Sequence, residues 1–291
     1  METRWLHVTS EDFHALREAA KDVCVIPIGA VEKHGPHLPL GTDTFLARHL
    51  AYMASQMETV CVFPEIPFGD KSQGAPSTPA GTISLPMETE MLLLEQLCEQ
   101  ISRYGYKKIL ILNAHGGNCA WLTAFLEKLG NKKRDFVAGV YFVRVGTLIQ
   151  MAKLLEEKGT GAIPELTAED EQVLLDHYHS GVPTGHACFC ETAFVMGCEP
   201  QTVKLERLGS ESGKSLHKTD YFKEAGIEIR DDGWYIDYPN SYASEVDPVK
   251  CNERIGKAAL RFKAEDVARA YKVFKEDENL WKWHEEWQKG W

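Results

Sequence analysis

The sequence predicts a single layered α/β domain, a mostly parallel sheet flanked by helices, and two observations carry that reading. Short apolar runs alternate along the chain with segments of helical periodicity, the pattern of βαβ units whose sheet is covered on both faces. The 291 residues, 44% hydrophobic and 26% charged, have ordinary globular composition and suffice for one large domain spanning 1–291.

The elements follow in order. Val23 to Ile28 reads as a strand ended by Gly29, and Thr44 to Met57 as the helix after it. Thr59 to Phe63 gives a second strand. Pro86 to Tyr104 then gives a helix closed by Gly105, and Lys108 to Leu112 a strand ending at Asn113. A helix near Cys119 to Leu129 and a strand near Phe136 to Val143 continue the alternation. Pro64 to Leu85, rich in Gly, Pro, Ser and Thr, reads as a long loop of the kind that covers functional sites. About 200–250 reads as a loop insertion with one hairpin, in which Ile227 to Ile229 and Trp234 to Ile236 flank the turn signal Asp232-Gly233. The C-terminal segment, 252–291, is helical. Ile255, Ala259, Phe262, Val267, Ala270 and Val273 form the intermittent apolar stripe of a surface helix over Asn252 to Glu276. Trp283, Trp287 and Trp291 then recur every four residues, one helical face that packs on the domain or on a neighbouring subunit.

Charge and composition exclude several classes. A net charge of −11 leaves no basic face for a phosphate backbone, so nucleic acid is not an expected partner. No apolar run approaches the roughly 20 residues that span a bilayer, and Met1 to Trp5 lacks the apolar core of a signal peptide. No membrane partner and a cytoplasmic location are the expectations. The eight cysteines lack the paired short spacings of a zinc knuckle and read as reduced core thiols.

In an open α/β sheet, ligand sites form outside the carboxyl ends of the strands, so the motifs that follow strands matter most. Gly29 to His37 follows the first strand, and Glu32 and His34, two apart in extended backbone, project to the same side as a divalent-metal pair. Asp43, at the start of the next helix, could cap it or bridge two cations. The run from Ile109 to Leu112 aims His115 at the sheet edge, where Gly116 and Gly117 permit a close backbone approach before Asn118 caps a helix. His115 could equally serve only a tight strand-to-helix turn. In Thr184 to Thr192, a helix beginning near His186 would put Glu191 more than one turn away on an adjoining face, so that one side chain could coordinate while the other transfers protons. Cys188 and Cys190 diverge on such a helix and read as packing.

Taken together, GAVEKHGPHLPLGTD at Gly29–Asp43, PAGTISL at Pro79–Leu85, NAHGGN at Asn113–Asn118 and GHACFCET at Gly185–Thr192 resemble the creatininase (creatinine amidohydrolase) family over roughly residues 20 to 200. The resemblance implies a metal-dependent hydrolase with two divalent ions, assembled as a homo-oligomer, commonly a hexamer. Carried over by position, Glu32, His34, Asp43, His115 and Glu191 look like the metal ligands, with Asp43 bridging, and His186 like the proton-transfer residue. The creatinine-cleaving branch has a glutamate where this chain has Gly117 and Glu-His where it has Gly185-His186, so the carboxylate role passes to Glu191 and creatinine is not the expected substrate.

The expected reaction is attack by a hydroxide bridging two cations on a cyclic amide or related C–N bond of a small polar molecule, with His186 supplying the proton. Zn²⁺ is the first expectation for the mixed imidazole and carboxylate donors, with Mn²⁺ or Fe²⁺ as alternatives. Hydrolysis of a C–C bond in a carbocyclic diketone such as a dehydro-inosose is the alternative reaction. A metal- or sugar-binding protein without turnover is the alternative of another class. A serine esterase would need a Gly-x-Ser-x-Gly elbow, but Gly209-Ser210-Glu211-Ser212-Gly213 puts glutamate at the nucleophile position. Trp234, Tyr235, Asp237, Tyr238, Asn240 and Tyr242 could cover the pocket and bind a polyol ring, or face solvent from the hairpin.

Overall fold

Alternate side chains of two central strands supply two separate cores. In the computed structural model, which describes residues 1–69, 80–229 and 232–290, β1 (Val23–Ile28), β2 (Cys61–Val62), β3 (Lys108–Asn113) and β4 (Val137–Phe142) form a parallel sheet in the order β2-β1-β3-β4. Val23, Val25, Leu110 and Leu112 enter one apolar cluster, whereas Cys24, Ile26, Ile28, Ile109 and Ile111 enter the other. This period-two partition makes both sheet faces apolar and requires helices on each.

The helices are α1 (Phe13–Ala19), α2 (Thr42–Met57), α3 (Met87–Arg103), α4 (Asn118–Leu129), α5 (Thr147–Lys158), α6 (Ala168–His179), α7 (Phe189–Cys198), α8 (Asp220–Glu224), α9 (Asp232–Asp237), α10 (Glu253–Glu276) and α11 (Asn279–Gln288). α1, α3 and α4 cover one face through Leu16, Leu94, Ile101, Trp121 and Phe125. α2, α5, α6, α7 and α10 cover the other through residues including Leu50, Met151, Leu174, Phe194 and Val267. The layered α/β fold is therefore the predicted one.

Three expectations need correction. The hairpin does not form: Asp232–Asp237 is helix α9, because the Asp237 carboxylate accepts the backbone N–H groups of Lys218 and Thr219 and folds this segment back on its own loop. The surface helix is largely interior. Ile255, Ala258, Ala259, Leu260, Ala264 and Tyr271 of α10 are buried, while Val273, assigned to the apolar stripe, is 72% exposed. Glycines permit this burial, since a Cβ on Gly256 would lie 2.3 Å from the Ala193 carbonyl oxygen and 2.4 Å from the Gly197 nitrogen, so α10 and α7 meet backbone to backbone. Finally, the tryptophan face of α11 packs on the domain only in part: Trp283 is 60% exposed, while Trp287 is 46% exposed with the Arg134 guanidinium over its ring; Trp291 and positions 70–79 lie outside the described residues. Six of the cysteines are buried, but Cys119 is exposed and Cys198 half-buried; all are free thiols.

Asp170 fastens this helical layer. Thr167 and Asp170 form a capping box at the start of α6, and the same carboxylate accepts from Asn252 Nδ2 (2.7 Å) and Arg254 Nε (2.7 Å) at the start of α10. Burial alone would raise its pKa, but Arg254, Thr167 and Asn252 hold the carboxyl well below the usual range. Its contribution is therefore complete above the unfolded value of about 3.9 and is lost as pH falls through the lower folded value. Asp170→Asn should cost about 1–3 kcal/mol at pH 7. Urea melts should show that deficit, and the gap from the parent should narrow at pH 3; equal gaps at both pH values would contradict the assignment.

Candidate metal centre

Gly29 decides where the site can form. A Cβ there would fall 2.5 Å from the Thr44 nitrogen and 2.7 Å from the Asp43 carbonyl carbon, so only glycine lets the first turn of α2 close on the end of β1. Thr44 Oγ1 then donates to the Ala30 carbonyl (2.9 Å), and buried Asp43 comes to lie beside the segment carrying Glu32 and His34. Asp43 does not cap α2 through its side chain.

The end of β3 adds His115. Asn113 grips it twice, donating from Nδ2 to the His115 carbonyl (2.8 Å) and accepting the His115 N–H at Oδ1 (3.2 Å). Asn118 is the first residue of α4 rather than its cap. Its Nδ2 donates to the Gly29 carbonyl (3.1 Å) and to Asn113 Oδ1 (3.0 Å), tying the ends of β1 and β3 together. A Cβ at Gly116 would meet none of the described residues within 4 Å.

His186 is not on a helix. Ala187 adopts a left-handed φ of +56°, and α7 begins only at Phe189. The kink lets Glu191, in the first turn of α7, accept the Ala187 N–H at Oε2 (2.6 Å) while His186 turns back to stack on His34, ring centroids 4.1 Å apart.

All six sequence-predicted site residues thus converge. Asp43 stands between two histidines, with Oδ1 3.3 Å from His34 Nε2 and Oδ2 2.9 Å from His115 Nδ1. His115 Nδ1 also lies 3.0 Å from Glu32 Oε1, and His34 Nε2 lies 3.7 Å from Glu32 Oε1 and 3.9 Å from Glu191 Oε2. His186 Nδ1 is 3.8 Å from Glu32 Oε1. Three triads have donor atoms close enough to share a cation: Glu32–Asp43–His115, His34–Asp43–Glu191 and Glu32–His34–His186. Asp43 belongs to the first two.

Backbone carbonyls fix the protons of two rings. His34 Nδ1 lies 3.1 Å from the Glu32 carbonyl and His186 Nε2 lies 2.8 Å from the Lys33 carbonyl; a carbonyl only accepts, so these nitrogens carry hydrogen. In the neutral rings the opposite nitrogens, His34 Nε2 and His186 Nδ1, present lone pairs to carboxylate oxygens. Buried lone pairs facing one another repel unless a cation stands between them, and imidazoles that donate their other N–H to a carbonyl are the usual metal-ligand arrangement. The residues therefore fit divalent cations.

The charges are polarised accordingly. Burial would raise the Asp43 pKa, but His34 and His115 on either side draw it well below the usual carboxylate range. Burial instead pushes Glu191 up to about 7, with the charge of Asp43 adding to the shift. His37, buried behind the site with Nε2 2.8 Å from Thr192 Oγ1, is pushed down to about 4 by burial.

From the 200–250 region, Trp234 meets the His186 ring edge-on at 5.3 Å and carries Tyr235 and Tyr238 against its own ring. Asp237 and Asn240 hold the loop to itself, and buried Tyr242 donates from its hydroxyl to Asp247 (2.6 Å). These three have structural partners rather than a hairpin's solvent exposure.

A three-layer α/β fold with a carboxylate–imidazole cradle at the carboxyl edge of its sheet defines a metal-binding class of protein. Within that class, the chain belongs to the creatininase family, whose profile, described as creatinine amidohydrolase, matches residues 6–271. It is 33% identical over 121 residues to the mycofactocin precursor peptide peptidase of Mycobacterium tuberculosis (strain CDC 1551 / Oshkosh), a match covering 38% of this chain and 47% of that protein, about half its length. It is 25% identical over 204 residues to the creatinine amidohydrolase of Pseudomonas putida (69% and 74% covered). The 3-dehydro-scyllo-inosose hydrolase of Thermotoga maritima (strain ATCC 43589 / DSM 3109 / JCM 10099 / NBRC 100826 / MSB8) is 33% identical over 104 residues (35% and 33% covered). A manganese creatininase structure shares the fold with a TM-score of 0.67 at 18% identity, covering 95% of this chain and 100% of that one. Among the described residues, no helix is long and apolar enough to cross a membrane.

Because a carboxyl must lose its proton to coordinate, the raised pKa of Glu191 couples cation binding to pH. Zn²⁺ titrated into metal-free protein should release protons near pH 6.5, and its affinity should fall as pH drops through about 7. Calorimetry in buffers of different ionisation enthalpy measures both, and proton release equal to that of Glu191→Gln, in which only the imidazoles can lose protons, would exclude Glu191 from the donor set.

Proposed function

We propose that this chain is a dinuclear metal-dependent hydrolase that opens a cyclic amide or related C–N bond of a small polar molecule. In this reading Glu32, His34, Asp43, His115 and Glu191 would hold two divalent cations, Asp43 being the residue common to the Glu32–Asp43–His115 and His34–Asp43–Glu191 triads. The observation that carries it is the fixing of the His34 and His186 protons by the carbonyls of Glu32 and Lys33, which turns both lone pairs toward the carboxylates. The mixed nitrogen and oxygen donors suit Zn²⁺ first and Mn²⁺ or Fe²⁺ next. When bound, such a pair polarises a substrate carbonyl and makes water nucleophilic at neutral pH.

The chain's own residues supply the rest. His186 Nδ1 faces the cluster at 3.8 Å from Glu32, and Trp234 meets the same ring edge-on; at Nδ1 it accepts a proton from the attacking water and returns it to the leaving nitrogen. Asp43, ionised far below neutral pH, keeps a charged carboxylate between His34 and His115. Glu191 responds to pH and to cation loading.

A second reading, cleavage of a C–C bond in a carbocyclic diketone, is favoured by the likeness to the inosose hydrolase. Both reactions need an activated carbonyl and a proton donor; they differ in the atom that leaves. Purified protein loaded with Zn²⁺ or Mn²⁺ should turn over one class within a panel of lactams, formamidopyrimidines, creatinine, short peptides and dehydro-inososes. Turnover of none would favour the non-catalytic binding protein. His186→Ala should lower kcat on the active substrate about 100-fold or more, with both metals retained by elemental analysis. A rate within twofold of the parent would remove His186 from proton transfer.

A further inference from the structure

Ser241 lies 208 residues from Lys33 in sequence yet donates from Oγ to the Lys33 carbonyl (2.9 Å), the same oxygen that accepts from His186 Nε2 (2.8 Å). The two donors fill both lone pairs of that carbonyl. The Ser241 carbonyl in turn accepts the Gly35 N–H (2.7 Å), so one residue holds the Lys33–Gly35 segment, and His34 within it, from both its side chain and its backbone. Two residues further, the Ala243 N–H donates to the His186 carbonyl (2.8 Å). Close packing enforces the register, since a Cβ on Gly185 would lie 2.0 Å from the Ala243 carbonyl oxygen.

Ser241 makes this double contact by adopting φ +48°, a left-handed conformation unfavourable for a side-chain-bearing residue, and it is only 1% exposed. Glycine would relieve that strain. A serine kept in this conformation with its hydroxyl on a shared carbonyl indicates a task for the hydroxyl.

We infer that Ser241 is the positioning residue of His186: its hydroxyl anchors the Lys33 carbonyl, which holds the imidazole in the Nε2–H form with Nδ1 toward the carboxylate cluster. The alternative tautomer would place the Nε2 lone pair against the Lys33 oxygen at 2.8 Å and the Ser241 oxygen at 3.5 Å. The functional consequence rests on the hydrolase reading, whereas the tautomer itself does not.

The test uses the zinc-loaded full chain carrying ¹⁵N-histidine, with the His186 signals assigned by their loss in His186→Gln. Long-range ¹H–¹⁵N correlation should show the Nε2–H tautomer alone in the parent and a mixture in both Ser241→Ala and Ser241→Gly. On the active substrate both variants should lose about 10-fold in kcat with KM unchanged. Zinc content should stay at the parent level. Two results overturn the inference: a single Nε2–H tautomer in both variants, or a parent-like spectrum in Ser241→Gly beside a disturbed one in Ser241→Ala, which would assign the effect to backbone strain. If His186→Ala leaves turnover intact, the hydrolase role of His186 fails while the tautomer experiment still decides the placement by Ser241.

Discussion

Asp43 wedged between His34 and His115 is the contact on which the rest of the site depends. Its two oxygens face two different rings at 3.3 and 2.9 Å, and the residue is buried. The imidazoles of His34 and His115 outweigh the burial penalty and keep the Asp43 carboxyl ionised, whereas Glu191, with the negative Asp43 nearby, is driven toward neutrality. Two buried carboxylates in one cluster thus differ in protonation because one has imidazoles on both sides. That difference requires α2 to approach β1 within a distance that any side chain at position 29 would forbid.

The rest of the architecture serves to bring distant segments to this carboxylate. Parallel pairing of β1 with β3 places Ile28 opposite Asn113, so the loops carrying Glu32, His34 and His115 leave the sheet side by side. The Asn113–Asn118 pair then spans the two strand ends with side-chain amides where the backbone ladder has ended. At the opposite edge of the sheet, Lys108 Nζ donates to the carbonyls of Phe274, Lys275 and Asp277 at the end of α10. That ammonium satisfies carbonyls the helix leaves open and fixes the long helix that supports α7.

Much of this was legible in the sequence because strands declare their ends. Apolar runs stopping at Gly29 and Asn113 are enough to place Glu32, His34, Asp43 and His115 at one sheet edge. What escaped was determined by tertiary contacts. The left-handed Ala187 that takes His186 off α7 has no sequence signal, since alanine favours helix. Asn118 reads as a cap by residue type, yet its amide serves the Gly29 carbonyl, 89 residues distant in sequence. The failed hairpin had a valid turn signal but no strand partner, and buried Asp237 gave the segment other hydrogen bonds. Gly197 and Gly256 were visible individually; that they face one another follows only from the packing of α7 on α10.

That packing makes the two triads sharing Asp43 unequal in origin. Glu32, Asp43 and His115 are carried by segments next to the ends of β1 and β3, inside the hydrogen-bonded frame of the sheet. His34, Asp43 and Glu191 need α7 as well, so their geometry depends on α10 approaching to backbone contact, on Asp170 holding the start of α10, and on the kink at Ala187. The second triad is also the one whose carboxylate is raised toward neutral pH. Mechanical dependence and protonation dependence fall on the same half, beside His186, and the Ser241 segment closes that half against the Lys33–Gly35 backbone. The sheet therefore supplies a rigid half of the cradle, and the helical layer with the 200–250 region supplies the half that responds to pH and that lies against Trp234.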